Sequence, residues 1–324
     1  MRVVLALCAS SALAFAPSAA VSPRGGARGP LAPRGAPQES MDLDLGEMFD
    51  LFDEAAAAAG DGGGAGAPPE PAPPGRVVVV PDADAVGAAV LAQLDAAAEA
   101  AIAARGHFAL AIPGGSVLKM LAGSSPAWAA KTTLAYVNHK CVDMGDGELA
   151  THAKAEKLFL SDWGGVNALV LSGGADAPAE ATRYAAALDA LGPEVLPRDG
   201  AGLPVFDMML IGVGDDGHVG SLYPGRDEVS ARADAPAGWV LPVEMKTPGS
   251  ITLALPVMAA AKQVVIAACG VSEKYPQGKS DAMRRAIQGE GETLQTFPAV
   301  GLRAVATWYL DEAAGSKLDD AYRK

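Results

Sequence analysis

The stretch Phe206 to Gly225, FDMMLIGVGDDGHVGSLYPG, decides how this chain is read. Its opening, FDMMLIGV, is dominated by apolar residues, as in a strand buried on both faces of a parallel sheet. Gly212, Gly214 and Gly217 then loosen the backbone around Asp215, Asp216 and His218. In open α/β sheets ligands bind beyond the carboxyl ends of the strands, so a glycine-rich loop here is where a site is expected. The three glycines also satisfy GxGxxG, the dinucleotide fingerprint. That reading fails on charge. Asp215 and Asp216 would stand where a pyrophosphate must go, and Pro224-Gly225 interrupts the helix whose N-terminus should hold it. A carboxylate two residues from an imidazole suits general acid/base work instead, with Asp216 orienting the His218 ring or sharing its proton.

Working outward, the text from Arg76 alternates between β-type runs and helical runs, which predicts a parallel-rich α/β layer fold. Strands are expected at 76–80, 107–112, 134–138, 167–172, 206–213, 251–255, 263–269 and 305–310. Helices are expected between most of them: one capped by Asp82 or Asp84 and stopped by Gly106, then Ala153 to Trp163, Ala179 to Leu191 and Asp281 to Ile287. A second glycine loop follows the strand at 107–112. Pro113-Gly114-Gly115-Ser116 opens onto a helix beginning VLKML, so backbone N–H groups and the Ser116 hydroxyl could cradle an anion. With no internal repeat and no second linker, 76–324 reads as a single domain.

The chain has 324 residues, 50% hydrophobic and 19% charged, which is enough for a sizeable core. A formal net charge of -13 argues against nucleic acid or an anionic membrane as partner, while leaving room for a small phosphorylated molecule. Cys8, Cys141 and Cys269 form no disulfide framework and suggest a reducing compartment. His139, Cys141 and His152 are ligand types, and the HxC spacing points two of them to one face, but no fourth ligand accompanies them; no metal is assigned. His139 is expected to line a pocket beside Lys140, and His152 to face solvent in the first turn of a helix.

The N-terminus reads as targeting. Residues 1–14 have a basic Arg2, an apolar stretch and an Ala12-Leu13-Ala14 cleavage pattern, a signal peptide; residues 15–40 carry Arg24, Arg28 and Arg34 without an acid, a transit-peptide composition. The junction before Phe15 resembles the bipartite plastid presequence of algae with secondary plastids, which implies a plastid destination. The other reading is an ordinary secreted protein. Residues 41–75 are an acidic segment followed by an Ala/Gly/Pro linker, expected to be flexible.

IGVGDDGHVGSLYPG resembles the GxGxDGHxASLFPG motif of the 6-phosphogluconolactonases, and PGGS resembles that family's phosphosugar loop. The similarity continues through ITLALPVMAAAKQVVIAACG and FPAVGLRAVATWYLDEAA, covering nearly all of 76–318. It implies a Rossmann-like layered fold of the type shared with the glucosamine-6-phosphate isomerases. It also implies hydrolysis of 6-phosphogluconolactone in the oxidative pentose phosphate pathway, with neither metal nor organic cofactor. By the same resemblance His218 is the base that activates water, supported by Asp216. Gly114, Gly115, Ser116, Asn138, Lys140, Gly214, Gly217, Ser221, Lys246 and Lys274 are the candidate substrate-binding residues. The related isomerases carry FNEP after the DGH segment; Ser221-Leu222-Tyr223-Pro224 lacks that glutamate, which favours a lactonase. The chain also departs from the lactonases. Asn138-His139-Lys140 replaces DER, the following SN pair falls near Leu149-Ala150, and Ser250 replaces an arginine, leaving the grip on phosphate to lysines without a bidentate fork. Two other readings therefore stay open: an amino-sugar-phosphate isomerase of the same fold, and a non-catalytic phosphosugar-binding protein.

Overall fold

Period-two alternation sorts each central strand's side chains between two cores. In the computed structural model, which describes residues 73–271 and 278–323, Ala109 and Ala111 of β2 (Phe108–Ile112) join one core while Phe108, Leu110 and Ile112 join the other. β6 (Met208–Ile211) and β9 (Val264–Ala268) divide in the same way. Both faces are covered, which is why these strands read as unbroken apolar runs.

The seven-stranded sheet is parallel, in the order β1-β10-β9-β6-β2-β3-β5, where β1 is Val77–Val80, β3 Thr132–Tyr136, β5 Asn167–Ala168 and β10 Ala306–Asp311. One face carries α1 (Ala83–Arg105), α2 (Val117–Met120) and α3 (Thr151–Leu158); the other carries α4 (Ala177–Asp189), α5 (Leu255–Ala259) and α6 (Ser280–Gln288). Asp82 is the cap of α1, accepting from the Ala85 N–H at 2.8 Å, and Gly106 ends it in the left-handed conformation. By length and composition α1 could cross a membrane, but Val86, Val90, Leu94 and Ala98 are buried in the same core as Leu110 and Tyr309. The described residues belong to one compact unit.

Several boundaries differ from the sequence expectation. The run at 251–255 is not in the parallel sheet: β8 (Ser250–Leu253) is the middle of a separate antiparallel sheet, between β4 (Asn138–Lys140) and β7 (Val240–Val243). β7 carries Pro242, which cannot donate to a ladder, and it lies at an edge as such a strand must. Asn138 starts this second sheet rather than ending the run at 134–138. The helix expected after PGGS is one turn long, and Gly123 with Ser124-Ser125-Pro126 follows it closely. The segments expected to direct targeting, the acidic piece, most of the expected linker and Lys274 lie outside the described residues.

Candidate active site

From β2 the chain steps outward through β3 to β5, then returns to β6 and steps the other way through β9 to β10. The direction reverses between the neighbours β2 and β6, the switch point at which a crevice opens beyond the strands' carboxyl ends. PGGS leaves β2 there, and GDDGH leaves β6 there. The two loops singled out in the sequence are thus brought together by strand order.

In the β6 loop, His218 Nδ1 lies 2.6 Å from Asp216 Oδ1, and the same oxygen accepts the His218 backbone N–H at 3.1 Å. Because the carboxylate can only accept, Nδ1 carries a proton, and in the neutral imidazole the lone pair is therefore on Nε2. Burial raises the pKa of Asp216, but the His218 N–H, the charge of His218 and the ring bond together outweigh it, so the carboxyl sits below its ordinary value and stays ionised at neutral pH. Gly214 and Gly217 are spent on shaping this loop. Gly214 N–H donates to His218 O at 2.9 Å and Gly217 N–H to Gly214 O at 3.1 Å. A Cβ on Gly214 would stand 2.1 Å from His218 Nδ1. Gly217 has φ +85° and faces the Phe297 ring, which a Cβ would meet at 2.4 Å. Lys279 donates to the Val213 carbonyl at the base of the loop.

Asn138 ties the two loops together. Its Oδ1 accepts from Gly114 N–H at 3.5 Å, and its Nδ2 donates to Ser221 Oγ at 3.1 Å. Thr252, its cross-strand partner on β8, accepts the Ser221 N–H at 3.2 Å. Ser221 is 4% exposed, so it acts as an anchor of the loop rather than as an open contact. Asn138→Leu would strand these groups and is expected to lower stability by about 1 to 3 kcal/mol. Asn138→Asp, toward which the Ser221 hydroxyl can turn and donate, should cost far less; denaturant unfolding of the two variants checks the difference.

Lys140 and Lys246 line one cleft of about 110 Å³, together with Tyr223, Val243, Thr247, Pro248 and Ser250. Tyr223 joins this cleft to the β6 loop, its ring centroid lying 4.7 Å from that of His218. In the PGGS turn Gly115 and Ser116 are exposed, and the first turn bonds run from Leu118 N to Gly115 O and from Lys119 N to Ser116 O. The N–H groups before them precede the first intrahelical donors. Ser116 itself makes no side-chain cap. A cavity of about 200 Å³ elsewhere, lined by Leu91, Leu94, Asp95, Ser124 and Trp128 among others, lacks comparable chemistry: the Trp128 indole N–H is already bound to Asp95. Tyr223, Thr252, Phe297 and Lys279 were not singled out from the sequence. Tyr223 was within reach there, since it lies inside the motif.

His139 does not line the pocket. It is fully buried, and the backbone N–H of His152 donates to its Nε2 at 3.0 Å, so its own Nδ1–H must donate to Lys140 O, 2.7 Å away. An imidazole from β4 thereby satisfies an otherwise unpaired donor in the first turn of α3. His152 is likewise not free in solvent; its Nδ1 shares a 2.8 Å bond with the Tyr136 hydroxyl. Burial pushes the pKa of His139 below its usual 6.5, opposed by the Lys140 carbonyl and reinforced by His152, and burial lowers His152 and His107 as well. The unfolded chain then binds protons near pH 6.5 that the folded chain refuses. The stability contributed is full above that pH and falls as pH drops through 6.5 toward the lower folded values, by at most about 1.4 kcal/mol per pH unit for each histidine. The melting temperature is expected to fall between pH 6.5 and 5, with a shallower slope in His139→Gln.

The family model described as glucosamine-6-phosphate isomerases/6-phosphogluconolactonase matches residues 81–309. A 6-phosphogluconolactonase of Rattus norvegicus is 31% identical over 265 residues, covering 78% of this chain and 96% of its own. A chloroplastic 6-phosphogluconolactonase 3 of Arabidopsis thaliana is 32% identical over 123 residues, 37% of this chain and 34% of its own. Among solved structures, a 6-phosphogluconolactonase from Leishmania guyanensis shares the fold with a TM-score of 0.60 at 22% identity, covering 76% of this chain and 99% of that one.

Proposed function

The chain belongs to the glucosamine-6-phosphate isomerase/6-phosphogluconolactonase family, and we propose that it hydrolyses 6-phosphogluconolactone to 6-phosphogluconate with His218 as general base. The observation that carries this reading is the Asp216–His218 pair, which engages Nδ1 and leaves Nε2 as the nitrogen available to water, on a ring packed against the Tyr223 wall of a cleft holding two lysines. Nε2 takes a proton from water as the water oxygen bonds to the lactone carbonyl carbon. The tetrahedral intermediate then collapses, the bond to the ring oxygen breaks, and the imidazolium returns its proton to that oxygen. Asp216 holds the ring in place and balances its transient positive charge.

Lys140 and Lys246 are the proposed partners of the phosphate, and the PGGS backbone of the sugar hydroxyls or a phosphate oxygen. Neither lysine offers the fork of an arginine, so phosphate binding here rests on two point charges. The leader composition, with a chloroplastic relative over part of the chain, supports a plastid destination. The purified protein is expected to speed loss of the lactone well beyond its spontaneous opening and to release no ammonia from glucosamine 6-phosphate. Ammonia release without lactone turnover would replace this reading with the isomerase one.

A further inference from the structure

The resemblance that places His218 says nothing of Tyr223, where the family motif carries phenylalanine. Three observations converge on the added hydroxyl and its ring. The ring lies against the His218 imidazole, centroids 4.7 Å apart at an interplanar angle of 35°. Lys246 Nζ stands 4.4 Å from the centroid of the same ring and donates to the Tyr223 hydroxyl at 3.4 Å. Tyr223 also lines the cleft that holds Lys140, Lys246 and Ser250. Its backbone is held on both sides, by Leu222, which is buried and donates to Val219 O at 2.9 Å, and by Gly225, which donates to Gln295 O at 2.8 Å.

We infer that Tyr223 is a positioning residue that couples the two halves of the site, its hydroxyl and ring holding the Lys246 ammonium for the substrate's phosphate while its ring walls the His218 imidazole. The inference rests on the lactonase reading and goes beyond it by assigning phosphate selectivity to one hydroxyl. A lysine on an exposed turn has many rotamers, and each productive one must be selected at an entropic cost. A hydroxyl and a π face on a fixed ring reduce that cost without neutralising the charge. Ser250 brings no charge to this cleft, and of its two lysines Lys246 is the one in contact with Tyr223.

The two parts of the side chain have separable consequences. Tyr223→Phe keeps the wall and loses the hydroxyl, so KM for 6-phosphogluconolactone and Kd for 6-phosphogluconate should rise about two- to fivefold while kcat stays within twofold. Turnover of unphosphorylated glucono-1,5-lactone should not change, because no phosphate is there to be held. Tyr223→Leu should lower kcat as well, with no matching loss of melting temperature. In the Lys246→Ala background, Tyr223→Phe should add nothing further to KM or Kd.

Calorimetric binding of 6-phosphogluconate and of gluconate, beside the kinetics of the wild type and of His218→Gln, separates the two levels of the account. Loss of lactonase activity in the wild type would strike the functional reading, while Kd would still report on Tyr223. Unchanged Kd and KM in Tyr223→Phe, equal shifts for phosphorylated and unphosphorylated ligands, or additive effects of Tyr223→Phe and Lys246→Ala would each overturn the inference.

Discussion

Asp216→Ala is expected to lower kcat about 10²-fold with little change in KM, while Asp216→Asn should retain a good part of the lost activity. The asymmetry follows from one atom. Oδ1 accepts both from the His218 backbone N–H, at 3.1 Å, and from the ring Nδ1, at 2.6 Å. An asparagine can present its own Oδ1 to both donors, so the tautomer that frees Nε2 survives and only the charge opposite the imidazolium is lost. Alanine loses charge and orientation together. Equal losses in the two variants would mean that charge alone matters. No loss in either would remove Asp216 from the mechanism.

Gly214→Ala is expected to act on the same pair from the other side. The added Cβ would fall 2.1 Å from His218 Nδ1 and 2.6 Å from Asp216 Oδ1, distances at which the imidazole and carboxylate must move. Displacing a base by about 1 Å costs roughly 10²-fold in rate. The side chains involved are partly exposed, so the loop can shift without the core following; the melting temperature should change much less than kcat. Steady-state kinetics beside thermal unfolding tests this. A kcat within twofold of wild type would show that the imidazole position is not set by the close approach at Gly214.

The fold was legible wherever strands are buried on both faces, because runs such as FALAI and VVIAA carry no polar face to confuse the pattern. The second sheet was less so. β4 is three residues whose middle side chain, His139, is buried and polar, and β7 contains Pro242; neither pattern announces a strand. At the site, the candidate loop and its Asp216–His218 contact were legible because a strand end, glycines and a His two residues from a carboxylate coincide in one short stretch. What Asn138 does was not. Its role as a bridge between Gly114 and Ser221 depends on two loops 24 and 83 residues away in sequence, brought together by strand order. The burial of His139 was hidden for the same reason: the donor it satisfies belongs to His152, across a turn the sequence does not describe.

The most direct test compares wild type and His218→Gln in one assay of 6-phosphogluconolactone loss, corrected for spontaneous opening, with both proteins shown to melt at similar temperatures. Wild type should accelerate the reaction, and the variant should retain only about 10⁻² to 10⁻⁴ of that acceleration. Equal acceleration by both proteins would contradict the assignment of His218 as the base.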